Sequence, residues 1–249
     1  MYKFHYDVVK YLADSGIEES MKQMITEILS YGCDGASPEQ IETMLRYLNK
    51  LADKGDPTAL QTLGALYYTG VGDIIHQDYS KAIYFYEKSA ELSELTDHWA
   101  LNNLGYCYYY GRSVEIDYKK AYSCFALSAT YNNPNAMYKL GDMYYYGHYV
   151  KKDLEASCYW YLRAKAEYPE ADYDYQDFLI ASIAMRVGRA YLYGEGIEED
   201  LIAALMELRL AEALFYKQVL ISDEFSVNQL PKVKSLIKIA LDKLDVLLE

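Results

Sequence analysis

One stretch, Ala100–Ala129 (ALNNLGYCYYYGRSVEIDYKKAYSCFALSA), limits the possible folds more than any other, because its pattern recurs along the chain. Its frame is Leu104-Gly105-x-x-Tyr108-x-x-Gly111, then Asp117-x-x-x-Ala121-x-x-Cys124-Phe125. The first words return at Leu63-Gly64-x-x-Tyr67-x-x-Gly70, Leu140-Gly141-x-x-Tyr144-x-x-Gly147 and Val187-Gly188-x-x-Tyr191-x-x-Gly194. The glycines fall at 64, 105, 141 and 188, giving a base unit of 36 residues with insertions in the longer intervals. Self-similarity of this kind denotes a repeat array, in which each unit buries its apolar face by stacking on its neighbours.

The frame explains itself as packing. A glycine inside a helix costs about 1 kcal/mol against alanine, so four at one register need a structural cause. Close approach supplies it: a second helix (B) of the same unit crosses the first (A) where no side chain intrudes. The tyrosine three residues on covers the contact. The second glycine takes the positive φ that ends helix A, the aspartate caps helix B, and the alanine keeps helix B small at the crossing. The caps are Asp78, Asp117, Asp153 and Asp200, and helix-B stripes continue through Ala82/Phe85/Tyr86, Ala121/Cys124/Phe125, Ser157/Trp160/Tyr161 and Ala204/Leu208.

Outside the clear repeats the pattern weakens. Tyr2–Asp14 reads as a helix, and Gly16, like Gly55, stands where a left-handed C-cap residue belongs. Glu18–Tyr31 reads as a degenerate helix A with Met21, Ile25 and Leu29 on one face and Gly32 closing it. Ser37-Pro38-Glu39-Gln40 predicts a capping box with proline at N1, opening a helix over 38–54. Glu167–Asp177 is an acidic, tyrosine-rich insertion, with Pro169 ending the helix before it. Pro231–Leu248 reads as a closing amphipathic helix with Val233, Leu236, Ile237, Ala240, Leu241, Leu244 and Leu248 in its stripe. The expected organisation is one domain over 1–249: degenerate repeats at 1–57, four repeats at 58–212, and a linker with a capping helix at 213–249.

The net charge of −13 disfavours nucleic acid and anionic membranes and fits a soluble protein with basic or neutral partners. No apolar run reaches the ~18 residues of a membrane span, and the N-terminus shows no signal-peptide core. Cys33, Cys107, Cys124 and Cys158 form no CxxC pair and are expected as reduced thiols, pointing to a cytoplasmic protein.

The words A-x-x-x-L-G-x-x-Y-x-x-G and D-x-x-K-A-x-x-F/W-Y resemble Sel1-like repeats, α/α relatives of the tetratricopeptide family. Ala59, Leu63, Gly64, Tyr67, Gly70, Asp78, Lys81 and Ala82 follow the pattern closely, while repeat three has Ala156-Ser157 for Lys-Ala and repeat four has Glu207-Leu208 for the aromatic pair. The resemblance implies an all-α, right-handed α/α solenoid of stacked antiparallel helix pairs that serves as a non-enzymatic adaptor for a protein or peptide. Some cysteine-rich members are associated with penicillin binding or β-lactamase activity. Their paired cysteines are missing here, so a hydrolase is the weaker alternative, beside self-assembly through the last helix.

The residues supply no competing chemistry. His5, His76, His98 and His148 form no metal motif, the carboxylates of Asp172–Asp177 lack the glycine and glutamate of a calcium loop, and no nucleophile elbow or phosphate loop occurs. No catalytic residue, metal site or cofactor is expected. Should helix A line a concave groove, as in the tetratricopeptide relatives, its face holds Gln61, Tyr68, Asn102, Tyr106, Tyr109, Tyr110, Tyr138, Asp142, Tyr145, Tyr146 and Arg189. Tyrosines there offer rigid contact area with a hydrogen-bonding tip, or else pack on the next repeat. Asn102 and Asp142 are expected to orient a partner's backbone or a basic residue.

Overall fold

The computed structural model describes residues 2–30, 35–168, 177–220 and 224–248. Among them all regular structure is helical apart from one isolated antiparallel bridge, Val71 with Ile75, inside the longest intra-repeat loop. The chain divides into two compact units, Met1–Cys124 and Phe125–Glu249. Unit 1 holds α1 (Tyr2–Asp14), α2 (Glu18–Ser30), α3 (Pro38–Asp53), α4 (Pro57–Thr69), α5 (Tyr79–Leu92) and α6 (His98–Tyr110). The boundary falls within α7 (Tyr118–Thr130), and unit 2 continues with α8 (Pro134–Tyr146), α9 (Leu154–Ala166), α10 (Asp177–Tyr193), α11 (Leu201–Val219) and α12 (Glu224–Leu248).

Helices next to each other in sequence pack together: α4 on α5, α8 on α9 and α10 on α11 as A/B pairs, with α5 on α6, α9 on α10 and α11 on α12 joining successive pairs. The architecture is the all-α solenoid class that the repeat frame implies.

Each frame residue has a visible task. A Cβ on Gly64 would lie 2.6 Å from the Tyr86 ring, one on Gly141 2.5 Å from Tyr161, and one on Gly188 2.8 Å from Leu208. The missing side chain therefore makes room for a large residue of helix B. The ring filling the gap is the B-helix tyrosine, whereas the A-helix tyrosine expected to cover the contact is only half-buried, Tyr67 lying parallel to Phe85 at 5.7 Å. In repeat four, which lacks the aromatic pair, Leu208 fills the same space. The second glycines Gly70, Gly111, Gly147 and Gly194 all have positive φ.

One backbone bond recurs in all four repeats: the N–H of the capping aspartate donates to the carbonyl of the frame tyrosine. It runs from Asp78 to Tyr67, Asp117 to Tyr108, Asp153 to Tyr144 and Asp200 to Tyr191, at 2.8 to 3.1 Å. The same aspartates accept from first-turn N–H groups of helix B, so one residue ties the loop at both ends. Helix A has caps of its own that the repeat words did not reveal. Asp56 and Asn133 precede Pro57 and Pro134 at N1, and Asp97 caps α6. The capping box at Ser37 forms as expected.

Three expectations change. On α2, Met24 and Ile28 are buried with Met21 and Ile25, while Leu29 turns outward, because the core-facing stripe follows i, i+3, i+4 and i+7 from Met21. Helix α12 starts at Glu224, so Pro231 lies inside it. Ser226 and Leu230 before the proline and Val233 and Ile237 after it are buried, and this packing on both sides keeps the helix continuous despite the lost N–H. Leu241 of the expected α12 stripe is exposed. The stop at Gly32, Cys33, and the insertion over 169–176 with Pro169 and its alternating carboxylates lie outside the described residues. No helix among the described residues is long and apolar enough to cross a membrane.

Candidate functional site

In unit 1 the helix-A face is built from α4 and α6. Gln61 and Tyr68 are half-buried, and Tyr68 meets Tyr79 edge-on at 5.3 Å and lies 6.5 Å from Tyr86. At 3.6 residues per turn, the i, i+4 spacing puts Tyr106 and Tyr110 on one side of α6, where their rings stack at 6.0 Å. Tyr110 keeps 49% of its surface exposed. Tyr109 is buried, edge-on to both Tyr110 (4.9 Å) and Tyr118 (5.3 Å). Asn102 is buried too: its amide donates to Asn103 Oδ1 at 3.2 Å while its own Oδ1 finds no hydrogen-bond partner among the described residues. Asn103 in turn donates to the Tyr86 hydroxyl at 3.1 Å, fixing the ring that fills the Gly64 gap.

A residue outside the expected set completes this face. Arg112, directly after the helix-ending Gly111, places its guanidinium 4.5 Å from the Tyr68 centroid, 5.1 Å from Tyr79 and 5.5 Å from Tyr110. Burial among these rings pulls its pKa below the ordinary arginine value. Its register, seven residues past the helix glycine, lies beyond helix A, so a groove defined by helix periodicity passes over it.

In unit 2 the corresponding face belongs to α8 and α10, and its polar groups are consumed internally. Asp142 is 4% exposed. It accepts from Tyr161 Oη (2.8 Å), Lys139 Nζ (3.0 Å) and Arg186 Nε (3.2 Å). Burial alone would raise its pKa, but the Lys139 and Arg186 charges outweigh burial and hold the carboxyl below the usual 3.8. Tyr138 is buried against Tyr161 at 5.9 Å. Tyr145 is half-buried under Arg189, whose guanidinium stands 3.9 Å from the ring centroid, and Glu195 accepts from Arg189 Nε at 3.0 Å. Tyr146 stays 50% exposed, stacked on His148 at 5.5 Å. Asn102 and Asp142 thus sit inside their units, while Tyr106, Tyr110, Tyr145, Tyr146 and Arg189 reach or border the surface.

Burial pushes the Cys107 thiol up to about 12 and Cys124 to about 11, so both are protonated at neutral pH and weak as nucleophiles. Among the described residues no group of three His, Cys, Asp or Glu side chains is placed to hold a metal ion.

Comparison with known proteins identifies the repeat. Residues 58–94, 100–130, 134–167 and 183–206 match the Sel1 repeat family. Over 104 residues the chain is 34% identical to the ERAD-associated E3 ubiquitin-protein ligase component HRD3B of Arabidopsis thaliana, covering 41% of this chain and only 15% of that protein. The fold is similar to a solved Sel1 repeat protein from Oxalobacter formigenes, with TM-score 0.63 and 21% identity over 85% of this chain and 87% of that one. A protective antigen of uropathogenic Escherichia coli strains, described as displaying an SLR fold, gives TM-score 0.58 and 18% identity over 96% of this chain and 56% of the antigen. An immunity protein from Pseudomonas aeruginosa gives TM-score 0.51 and 17% identity over 89% and 83% of the respective chains.

Proposed function

Since the chain belongs to the Sel1 repeat family, whose members are generally protein-interaction scaffolds, we propose that it is a non-enzymatic adaptor that docks a peptide or protein segment on its helix-A tyrosines. One observation carries this reading. The last residue of helix A is an exposed tyrosine in three repeats, Tyr110, Tyr146 and Tyr193, and the packing frame asks for no ring there. Tyr106 extends the surface in unit 1, and Tyr145 with Arg189 borders it in unit 2. Exposed, rigid aromatic rings with polar tips make strong contact points at little entropic cost. The buried Asn102 and Asp142 then act from beneath, fixing the tyrosines' scaffold rather than touching the partner.

Affinity capture from source lysate followed by mass spectrometry tests the reading. The Tyr110→Ala/Tyr146→Ala double variant is expected to lose the captured partners while its far-ultraviolet circular dichroism is unchanged. A variant that keeps every partner removes the docking role from these rings. Turnover of nitrocefin stoichiometric with the protein would instead establish a hydrolase.

Self-association has its own support at α12. Val246 and Leu247 are each 73% exposed and border an open cleft of about 510 Å³ with Leu201 and Ile239. Light scattering of Val246→Asp/Leu247→Asp against the parent chain tests it: a monomeric parent ends this reading.

A further inference from the structure

Unit 1 carries a cation at its tyrosine face that no acid among the described residues neutralises. Arg112 touches three ring faces and, among the described residues, forms no ion pair; Glu115 in the same loop is exposed and does not reach it. Ring faces attract a guanidinium's charge but supply no lone pairs for its five N–H donors. A cation removed partly from water and given no anion is under-compensated.

Unit 2 shows the same locus filled. Tyr145 follows Gly141 by four residues, as Tyr68 follows Gly64, and each ring lies under an arginine of the next repeat. Over Tyr145 that arginine, Arg189, is engaged by Glu195 at 3.0 Å. Glu195 stands seven residues past Gly188, the register that Arg112 holds past Gly105. Repeat four therefore brings its own carboxylate to the tyrosine-backed arginine, while repeat two places the arginine where that carboxylate would be.

We propose that Arg112, seated on Tyr68, Tyr79 and Tyr110, anchors a glutamate or aspartate side chain of the docked segment, as Glu195 engages Arg189 over Tyr145. This rests on the helix-A face being a docking surface and specifies what it selects in unit 1. The net charge of −13 favours basic partners at long range. At contact, the planar guanidinium selects a carboxylate, and Tyr110 beside it offers an apolar shelf for the neighbouring residue.

The test is a random-peptide display selection on the full chain, with both peptide ends fused so that only side-chain carboxylates are present. The recovered pool is expected to be enriched in Glu or Asp. Synthetic blocked copies of the strongest peptide should bind about tenfold or more weakly to Arg112→Gln, the ratio expected when one charge-assisted pair is lost. Arg112→Lys should retain part of the affinity and Arg112→Glu should prefer the Glu→Lys peptide, which separates lost recognition from lost folding. Peptides that depend on Tyr110 but bind Arg112→Gln unchanged overturn the carboxylate assignment and leave the docking face intact. Binding that appears only with a free C-terminal carboxylate also overturns the side-chain assignment. A pool indifferent to both Tyr110→Ala and Arg112→Gln removes the docking face as well.

Discussion

One residue past the helix glycine, unit 1 carries Tyr106 and unit 2 carries Asp142. Tyr106 stacks on a half-exposed tyrosine; Asp142 disappears beneath two cations and a hydroxyl. The loci above Tyr68 and Tyr145 differ in the same sense, an Arg112 with no ion pair among the described residues against the Arg189–Glu195 pair. A single repeat frame thus supports an open, aromatic face in one unit and an internally satisfied ionic one in the other. The frame fixes where helices cross, and the residues between its fixed positions decide whether a polar group serves the fold or a partner.

The largest way to break this contrast is to remove the anion of unit 2. Asp142→Ala strands Lys139 and Arg186, both largely buried, and should destabilise by about 3–5 kcal/mol in urea unfolding. Asn102→Ala, which removes a carbonyl already without a partner, should cost far less. The same carboxylate makes unit 2 acid-sensitive. Its folded pKa lies below the usual 3.8, so its stabilisation is complete above that value and is lost as pH falls through the lower folded pKa. A urea series between neutral pH and pH 2.5 should show this loss in the parent and not in Asp142→Asn.

Glycine-to-alanine changes come next. Gly141→Ala drives a methyl into the Tyr161 ring, which its bond to Asp142 holds in place, and Gly64→Ala does the same to Tyr86, tethered by Asn103. Each should cost roughly 1–3 kcal/mol, read as a lowered melting temperature, with Gly141→Ala the more severe because its ring is tied to a buried charge. Equal or reversed effects would show that the ionic network does not stiffen unit 2.

The smallest expected effect sharpens the comparison best. Glu195→Gln should change stability by no more than about 1 kcal/mol, since the Arg189 pair is only partly buried. It should also give unit 2 an arginine available to acidic peptides like that of unit 1, measurable as a second, weaker binding phase in calorimetry.

How much could be read beforehand follows from range. The glycine, aspartate and capping-box signals act within one or two turns, and each appears where expected, from Gly70 to Asp200 and at Ser37. The start of α12 differs from the expected Pro231 because proline is a local stop signal, while burial of Leu230 and Val233 on either side overrides it. Among the groove residues, helix periodicity gives the face but not the depth: Asn102, Tyr109, Tyr138 and Asp142 lie on the same face as the exposed Tyr110 and Tyr146 yet are buried. Arg112 and Glu195 lie in loops, outside any helical period, so the repeat pattern carries no signal for them.

By itself the sequence determined the repeat, the helix pairs and their caps, since these rest on contacts between residues close along the chain. Only the tertiary structure decided that Tyr86 and Tyr161 fill the glycine gaps, that Asp142 joins Lys139 to Arg186, and that Arg112 meets Tyr68. Apart from Lys139 and Asp142, which share α8, those partners stand on different helices or loops tens of residues apart, and which side chain neutralises which charge depends on the stacking of one repeat against the next.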